Sequence, residues 1–105
     1  MTPSIPYASL LAERLRDPRE AFVYLDVALE EFEQDGDQNA FLLALRQVAE
    51  AQGGVAVLAE RTGMNPERLR DALSERGNPT LDTVGHLLHG MGFRLAVQPL
   101  ERKAA

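Results

Sequence analysis

Residues 55–77 read VAVLAERTGMNPERLRDALSERG and carry most of the information about the architecture. On both sides of Gly63, apolar residues recur three and four positions apart, which predicts two short helices. Only Gly63, Met64 and Asn65 separate them, and Asn65-Pro66 is a typical helix start. A turn of about three residues that contains glycine and joins two helices is the signature of a helix-turn-helix.

The second of these helices is expected to bury Leu69 and to expose its polar side chains. In DNA-binding proteins with this motif, the second helix lies in the major groove. We therefore predict that the DNA-binding residues are Asn65, Glu67, Arg68, Arg70, Asp71 and Ser74. Arginines suit guanine edges or phosphates, and carboxylates accept hydrogen bonds from cytosine amino groups. The alternative interpretation is a helical hairpin whose charges are only solvated.

Three further helices are predicted around this unit. Asp17-Pro18 begins one that runs to about residue 33, Asp37 begins one that ends at Gly53-Gly54, and Thr80 begins one that ends near residue 91. Each of them carries apolar residues at helical spacing on one side. The predicted fold is therefore all-α, a five-helix bundle that contains a helix-turn-helix.

The spacing at which apolar residues recur changes after residue 92. Phe93, Leu95 and Val97 alternate with less apolar residues, and this period of two predicts a short C-terminal β-strand over residues 93–98. A single strand leaves unpaired backbone groups. Pairing with the same strand of another copy would satisfy them, so these three residues are the predicted dimerisation residues.

The chain divides by these patterns into three parts. Residues 1–16 form an N-terminal lead with a short helical piece around residues 10–15, residues 17–98 form the folded domain, and residues 99–105 form a tail. Within the domain, residues 38–92 are the predicted DNA-binding core. A chain of 105 residues has room for one such core.

Composition narrows the class of protein further. The absence of cysteine excludes disulfides, thiolate metal sites and cysteine nucleophiles. No long apolar run and no signal peptide is recognisable, which predicts a soluble, cytoplasmic protein without a membrane partner. The net charge of −5 comes mostly from residues 1–45, which carry three arginines and nine acidic residues. Residues 46–76 are balanced, with five arginines and five acidic residues.

Three stretches resemble a known family: DPREAFVYLDVALEE, FLLALRQVAEAQGGVAVLAERTGMNPERLRDALSERGNPTLDTV and LHGMGFRLAVQP. Within them SERGNPTLDT is the most specific segment and GMNPERLRDAL the next. Residues 17–98 resemble addiction module antidote proteins, a HigA-type antitoxin branch of the Xre or lambda-repressor-like helix-turn-helix family. The resemblance implies a lambda-repressor-like bundle, a homodimer, binding to double-stranded operator DNA, and a RelE-like toxin as partner. It implies no catalysis.

The acidic first helix fits such a partner, because a basic toxin surface would complement its charge. The predicted toxin-binding residues are Asp26, Glu30, Glu31 and Glu33. The alternative is that these residues form a solvated helix face.

Other kinds of site have weaker support in the sequence. His86 and His89 lack a nearby third metal ligand, and Gly53-Gly54 lacks the glycine and lysine pattern of a nucleotide loop. No spacing suggests a nucleophile with its base. We therefore expect no metal, no cofactor, no small-molecule substrate and no enzymatic activity.

Three functions are consistent with these patterns. The first is an antitoxin that neutralises a RelE-like toxin and represses its own operon. The second is a stand-alone Xre-type transcriptional repressor. The third is an interaction module that has kept the fold and lost its affinity for DNA.

Overall fold

The computed structural model describes residues 7–100 of the chain, apart from the side chain of Ala8. Six helices follow one another: α1 (Tyr7–Leu15), α2 (Pro18–Asp35), α3 (Gln38–Ala51), α4 (Gly54–Thr62), α5 (Pro66–Leu73) and α6 (Leu81–Gly90). α3 is the central helix, and α1, α2, α4 and α5 all pack against it. α6 packs against α4.

The helix starts follow the predicted capping residues. Asp17, Asp37 and Asn65 each have extended backbone, and their side chains accept hydrogen bonds from amides in the first turn. Thr80 does the same for α6, accepting from the amide of Thr83. These side chains satisfy donors that would otherwise have no partner at a helix start.

One hydrophobic core connects the helices. Its largest fully buried side chains are Leu15, Leu45, Val48, Leu58, Leu69 and Leu87. Because these residues come from α1, α3, α4, α5 and α6, the core includes both helices of the predicted helix-turn-helix. α1 lies within the stretch assigned to the N-terminal lead, and it contributes Leu11 and Leu15 to the core.

The five predicted helices are present as α2 to α6, but the prediction of a C-terminal strand over residues 93–98 is wrong. Residues 7–100 form six helices and no strand, the additional helix being α1. Between residues 94 and 100, no backbone group makes a hydrogen bond with another described residue. An alternating apolar pattern becomes a strand only when a second extended segment completes the ladder, and the described part of this chain offers none.

No single helix between residues 7 and 100 is long and apolar enough to cross a membrane. α3 and α4 reach that length and hydropathy only when taken together, and the chain bends by 91° between them.

Candidate functional site

A tight bend connects α4 to α5. Gly63 has a left-handed backbone with φ of 73°, and its N–H donates to the carbonyl oxygen of Ala59 at 2.9 Å. A residue with a side chain rarely adopts this conformation, which explains why glycine stands here. Thr62 closes the bend on the other side, since its hydroxyl accepts from the Met64 amide at 3.2 Å. α5 therefore leaves α4 in one defined direction.

All six predicted DNA-binding residues lie on the surface at α5, as sequence spacing indicated. The inward side of α5 carries Leu69 and Leu73, which are 0% and 3% exposed. The exposed set is Asn65, Glu67, Arg68, Arg70, Asp71 and Ser74. The helix is thus anchored by two leucines, and its exposed side chains are polar except for that of Pro66.

The charges on this face have a definite order. At about 100° per residue, the outward side chains follow one another around α5 as Arg70, Ser74, Glu67, Asp71 and Arg68. The two carboxylates occupy the centre, and the two arginines lie at opposite edges, about 160° apart. A ligand on this helix would meet negative charge in the middle and positive charge on both sides.

Neither arginine is engaged by these carboxylates. The ion pairs among residues 7–100 are Arg14 with Glu20 and His86 with Asp82, and neither involves α5. The side chains of Arg68 and Arg70 make no hydrogen bond with another described residue either. The guanidinium groups therefore keep their donors for an external acceptor.

Asn65 and Ser74 have structural roles at the two ends of α5. The Asn65 side-chain oxygen accepts from the amides of Glu67 at 2.7 Å and Arg68 at 3.4 Å. The Ser74 hydroxyl donates to the carbonyl oxygen of Asp71 at 2.7 Å. Asn65 thus covers amides that a phosphate would otherwise bind, and only its side-chain amino group remains as a donor.

Two polar residues of the loop after α5, Arg76 and Asn78, are not among the site residues predicted from the sequence. Arg76 is exposed in the loop that follows the helix. In the same loop, Asn78 accepts a hydrogen bond from Gln38 at the start of α3, at 3.2 Å. No local pattern could link residues 38 and 78, because the contact exists only once both α3 and α5 have packed on the core.

The four predicted toxin-binding residues are all exposed on α2. By helical spacing, Asp26, Glu30 and Glu33 lie within an arc of about 60°, and Glu31 lies about 100° from Glu30. The structure therefore brings three of the four onto one face. Val23 and Val27 are half-exposed beside them and were not identified from the sequence.

The predicted dimerisation residues do not share one surface. Phe93 is half-buried, and its ring lies 6.3 Å from the ring of Phe22 on α2. Leu95 lies against Gly85 on α6, whereas Val97 is 99% exposed. Only Leu95 and Val97 are therefore accessible to a second molecule.

The two histidines of α6 are exposed. The His86 Nδ1 atom lies 2.8 Å from the Asp82 carbonyl oxygen and 3.5 Å from its carboxylate. Within the described part of the chain, no group of three or more histidine or acidic side chains is placed to hold a metal ion.

Comparison with known proteins assigns the chain to a family. The family model described as "Probable addiction module antidote protein" matches residues 9–99. The chain belongs to this family. It is accordingly the antitoxin of an addiction module, and the family indicates a toxin as its partner. No curated protein and no solved structure shows significant similarity to the chain.

The antidote has its two charged surfaces on different parts of the bundle. α2, with the acidic residues, packs against α1 and α3, whereas α5 packs against α3 and α4. The acidic surface of α2 and the mixed-charge surface of α5 therefore lie on helices that share only α3 as a neighbour.

Proposed function

We propose that this antidote neutralises a basic, RelE-like toxin and represses its own operon through a helix-turn-helix formed by α4 and α5. The proposal assigns it to the HigA-type, Xre-like antitoxins of the cytoplasm. It acts by binding alone, as a homodimer, with no catalytic step and no cofactor.

The single observation that supports DNA binding most strongly is the orientation of α5. The Gly63 bend directs this helix away from α4, and two buried leucines hold it so that every polar side chain points outward. A helix presented in this way fits the major groove, where its first residues reach the base edges. Arg68 and Arg70 then lie at the edges of the contact, within reach of phosphates or guanine.

The negative charge of α2 supports the proposal that this helix carries the toxin-binding surface. The helix carries Asp26, Glu30 and Glu33 on one face, with the apolar Val23 and Val27 next to them. A basic partner would gain association rate and specificity from such a face. α2 and α5 share only α3 as a neighbour, which supports a proposal in which toxin and operator bind to different helices of one antidote molecule.

A second candidate function is an interaction module without DNA affinity. Glu67 and Asp71 favour it, because two carboxylates at the centre of the α5 face oppose the approach of phosphates. The stand-alone Xre-type repressor has less support, since the family is one of antidotes.

A mobility-shift assay tests the DNA-binding part. The upstream DNA of the operon is titrated at low, stated salt with the wild type, with Arg68→Ala plus Arg70→Ala, and with Arg19→Ala as a control on α2. Each lost base contact should cost about 1 to 3 kcal/mol, and the control should bind like the wild type. If the wild type gives no shift, the repressor function is refuted and the interaction module is favoured.

Co-expression with the product of the adjacent reading frame tests the toxin part. Reversing three charges, with Asp26→Arg, Glu30→Arg and Glu33→Arg, should abolish both the complex and the rescue of growth. Glu31→Arg, which lies on another side of α2, is the matched control. Equal losses in the triple variant and the control would refute this surface.

A further inference from the structure

The outward side of α2 carries two valines. At about 100° per residue, Val23 and Val27 each lie about 160° from Leu25, which is buried in the core. They follow one another at an interval of one turn and are 49% and 47% exposed. Because the side of a helix that faces away from the core is normally polar, these two residues, here called the valine pair, are an exception to the pattern of α2.

The valine pair contributes little to the folding of the chain itself. A β-branched side chain loses rotamer freedom in a helix, and a straight polar side chain such as glutamate or lysine favours the helix more. About half of each valine stays in contact with water, so folding buries only part of its apolar surface. The full apolar surface of the pair is removed from water only by contact with another molecule.

The charges of α2 show a second conflict with the local rules of helix formation. The helix carries six acidic side chains and one basic side chain. Its last turn includes Glu33 and no basic residue, although negative charge near a helix C-terminus is unfavourable. Neither of the ion pairs between residues 7 and 100 involves Asp26, Glu30 or Glu33. Local choices that oppose folding are typical of surfaces that serve binding.

We propose that the valine pair is the apolar centre of the toxin-binding surface and that the acidic residues form a charged border along one side of it. Around α2 the order is Glu33, Asp26, Glu30, Val23 and Val27, over an arc of about 120°. The toxin segment that fits this surface has apolar side chains over the valine pair and lysine or arginine along one edge. Because the backbone groups of a helix are hydrogen-bonded internally, this segment binds through its side chains.

The two parts of the surface act on different steps of binding. The acidic border attracts a basic partner before contact, which raises the association rate, and salt weakens this attraction. The valine pair loses solvent contact only after docking and therefore acts mainly on the dissociation rate. This inference rests on the proposed function and deepens it by naming the residues that retain the toxin once it is bound.

The first experiment measures both rate constants by surface plasmon resonance at several salt concentrations, with the full-length antidote and the purified product of the adjacent reading frame. Val23→Thr plus Val27→Thr keeps the shape of the side chains and replaces a methyl group by a hydroxyl. Because burying a hydroxyl without a partner is unfavourable, this variant should dissociate about tenfold faster or more. Its association rate should stay within about twofold of the wild type, with the same salt dependence. Asp26→Asn plus Glu30→Gln should instead associate more slowly, with a weaker salt dependence.

The matched control is Leu10→Thr plus Leu43→Thr, at two leucines of α1 and α3 that are 44% and 46% exposed. It should bind the toxin like the wild type. An unchanged dissociation rate in the valine variant, or an equal increase in the control, would overturn the inference. If the valine variant dissociates like the wild type while the charge variant associates slowly, only the apolar centre is refuted. If the wild type forms no complex, the toxin-binding function is refuted with it.

The second experiment uses the absence of native cysteine. Val27→Cys and Leu43→Cys place a thiol at two half-exposed positions, and their reaction with a maleimide is followed by mass spectrometry of the antidote with and without the toxin. The toxin should slow labelling at position 27 by about tenfold or more, since thiol reactivity requires exposure, and should leave position 43 unchanged. Labelling at position 27 that is equally fast in the complex would refute the valine pair as the centre of the interface.

Discussion

A Cβ placed on Gly90 would lie 2.7 Å from the Cγ2 atom of Thr62, where α6 packs against α4. Thr62 cannot turn away freely, because its hydroxyl donates to the Leu58 carbonyl oxygen at 2.7 Å and accepts from the Met64 amide. The close packing of α6 therefore depends on the same side chain that closes the turn before α5.

Two glycines of α6 should respond in opposite ways to alanine. Gly90→Ala should lower the free energy of unfolding by about 1 to 3 kcal/mol, the usual cost of overpacking. Gly85→Ala should raise it by about 0.5 to 1 kcal/mol, because its Cβ meets no close neighbour. Urea denaturation of both variants measures the difference, and a loss of equal size in both would contradict the packing described for Gly90.

The effect of the Gly63 bend on operator binding can be distinguished from the loss of stability that backbone strain alone causes. Gly63→Ala and Gly36→Ala should each cost about 1 to 2 kcal/mol of stability, since the two residues have φ of 73° and 74° and neither new Cβ would meet a neighbour. Only Gly63→Ala should weaken operator binding, because only this bend orients α5. Equal operator affinity of the two folded variants would argue against the bend as the positioning element.

The carboxylates at the centre of α5 should oppose non-specific binding. Glu67→Gln plus Asp71→Asn is expected to raise the affinity for random duplex DNA by about fivefold or more at low salt. Repulsion between a carboxylate and a phosphate about 4 Å apart in water costs roughly 1 kcal/mol, which corresponds to about fivefold in affinity. Glu30→Gln plus Glu33→Gln changes the net charge equally on α2 and should have a smaller effect. Fluorescence anisotropy provides the measurement. A fall in affinity would mean that the carboxylates themselves contact the DNA.

Tyr24 should make stability sensitive to alkaline pH. Burial, and then the nearby Tyr7, raise the pKa of Tyr24 above its ordinary value of about 10. Its hydroxyl also donates to the Gln47 side chain. A raised pKa in the folded state means that the stability contribution is complete below about pH 10 and is lost as the pH rises through the folded-state pKa.

Tyr24→Phe should therefore cost about 1 kcal/mol at neutral pH, through the lost hydrogen bond, and should flatten the decline above pH 10. Tyr7→Phe should keep most of that decline and is the control. Denaturation between pH 8 and pH 11 tests this expectation, and identical pH profiles for the wild type and Tyr24→Phe would contradict it.

The helices were predictable because their signals are local. Asp17, Asp37, Asn65 and Thr80 cap helices in the structure as the sequence indicated, since a capping side chain reaches only two or three residues along the chain. The exposure of the polar α5 residues was predictable because Leu69 and Leu73, four residues apart, mark the side of the helix that faces the core. The strand over residues 93–98 failed because a strand is completed by a partner that local pattern does not supply.

Sequence alone determined where α2, α3, α5 and α6 begin and that glycine stands at the bend before α5, because these depend on contacts between residues close in the chain. Tertiary structure decided that Phe93 packs on Phe22, that Gln38 reaches Asn78, and that Gly90 fits against Thr62 while Gly85 stays open. These contacts join residues 28 to 71 positions apart, and their partners are chosen only when the helices pack into one core.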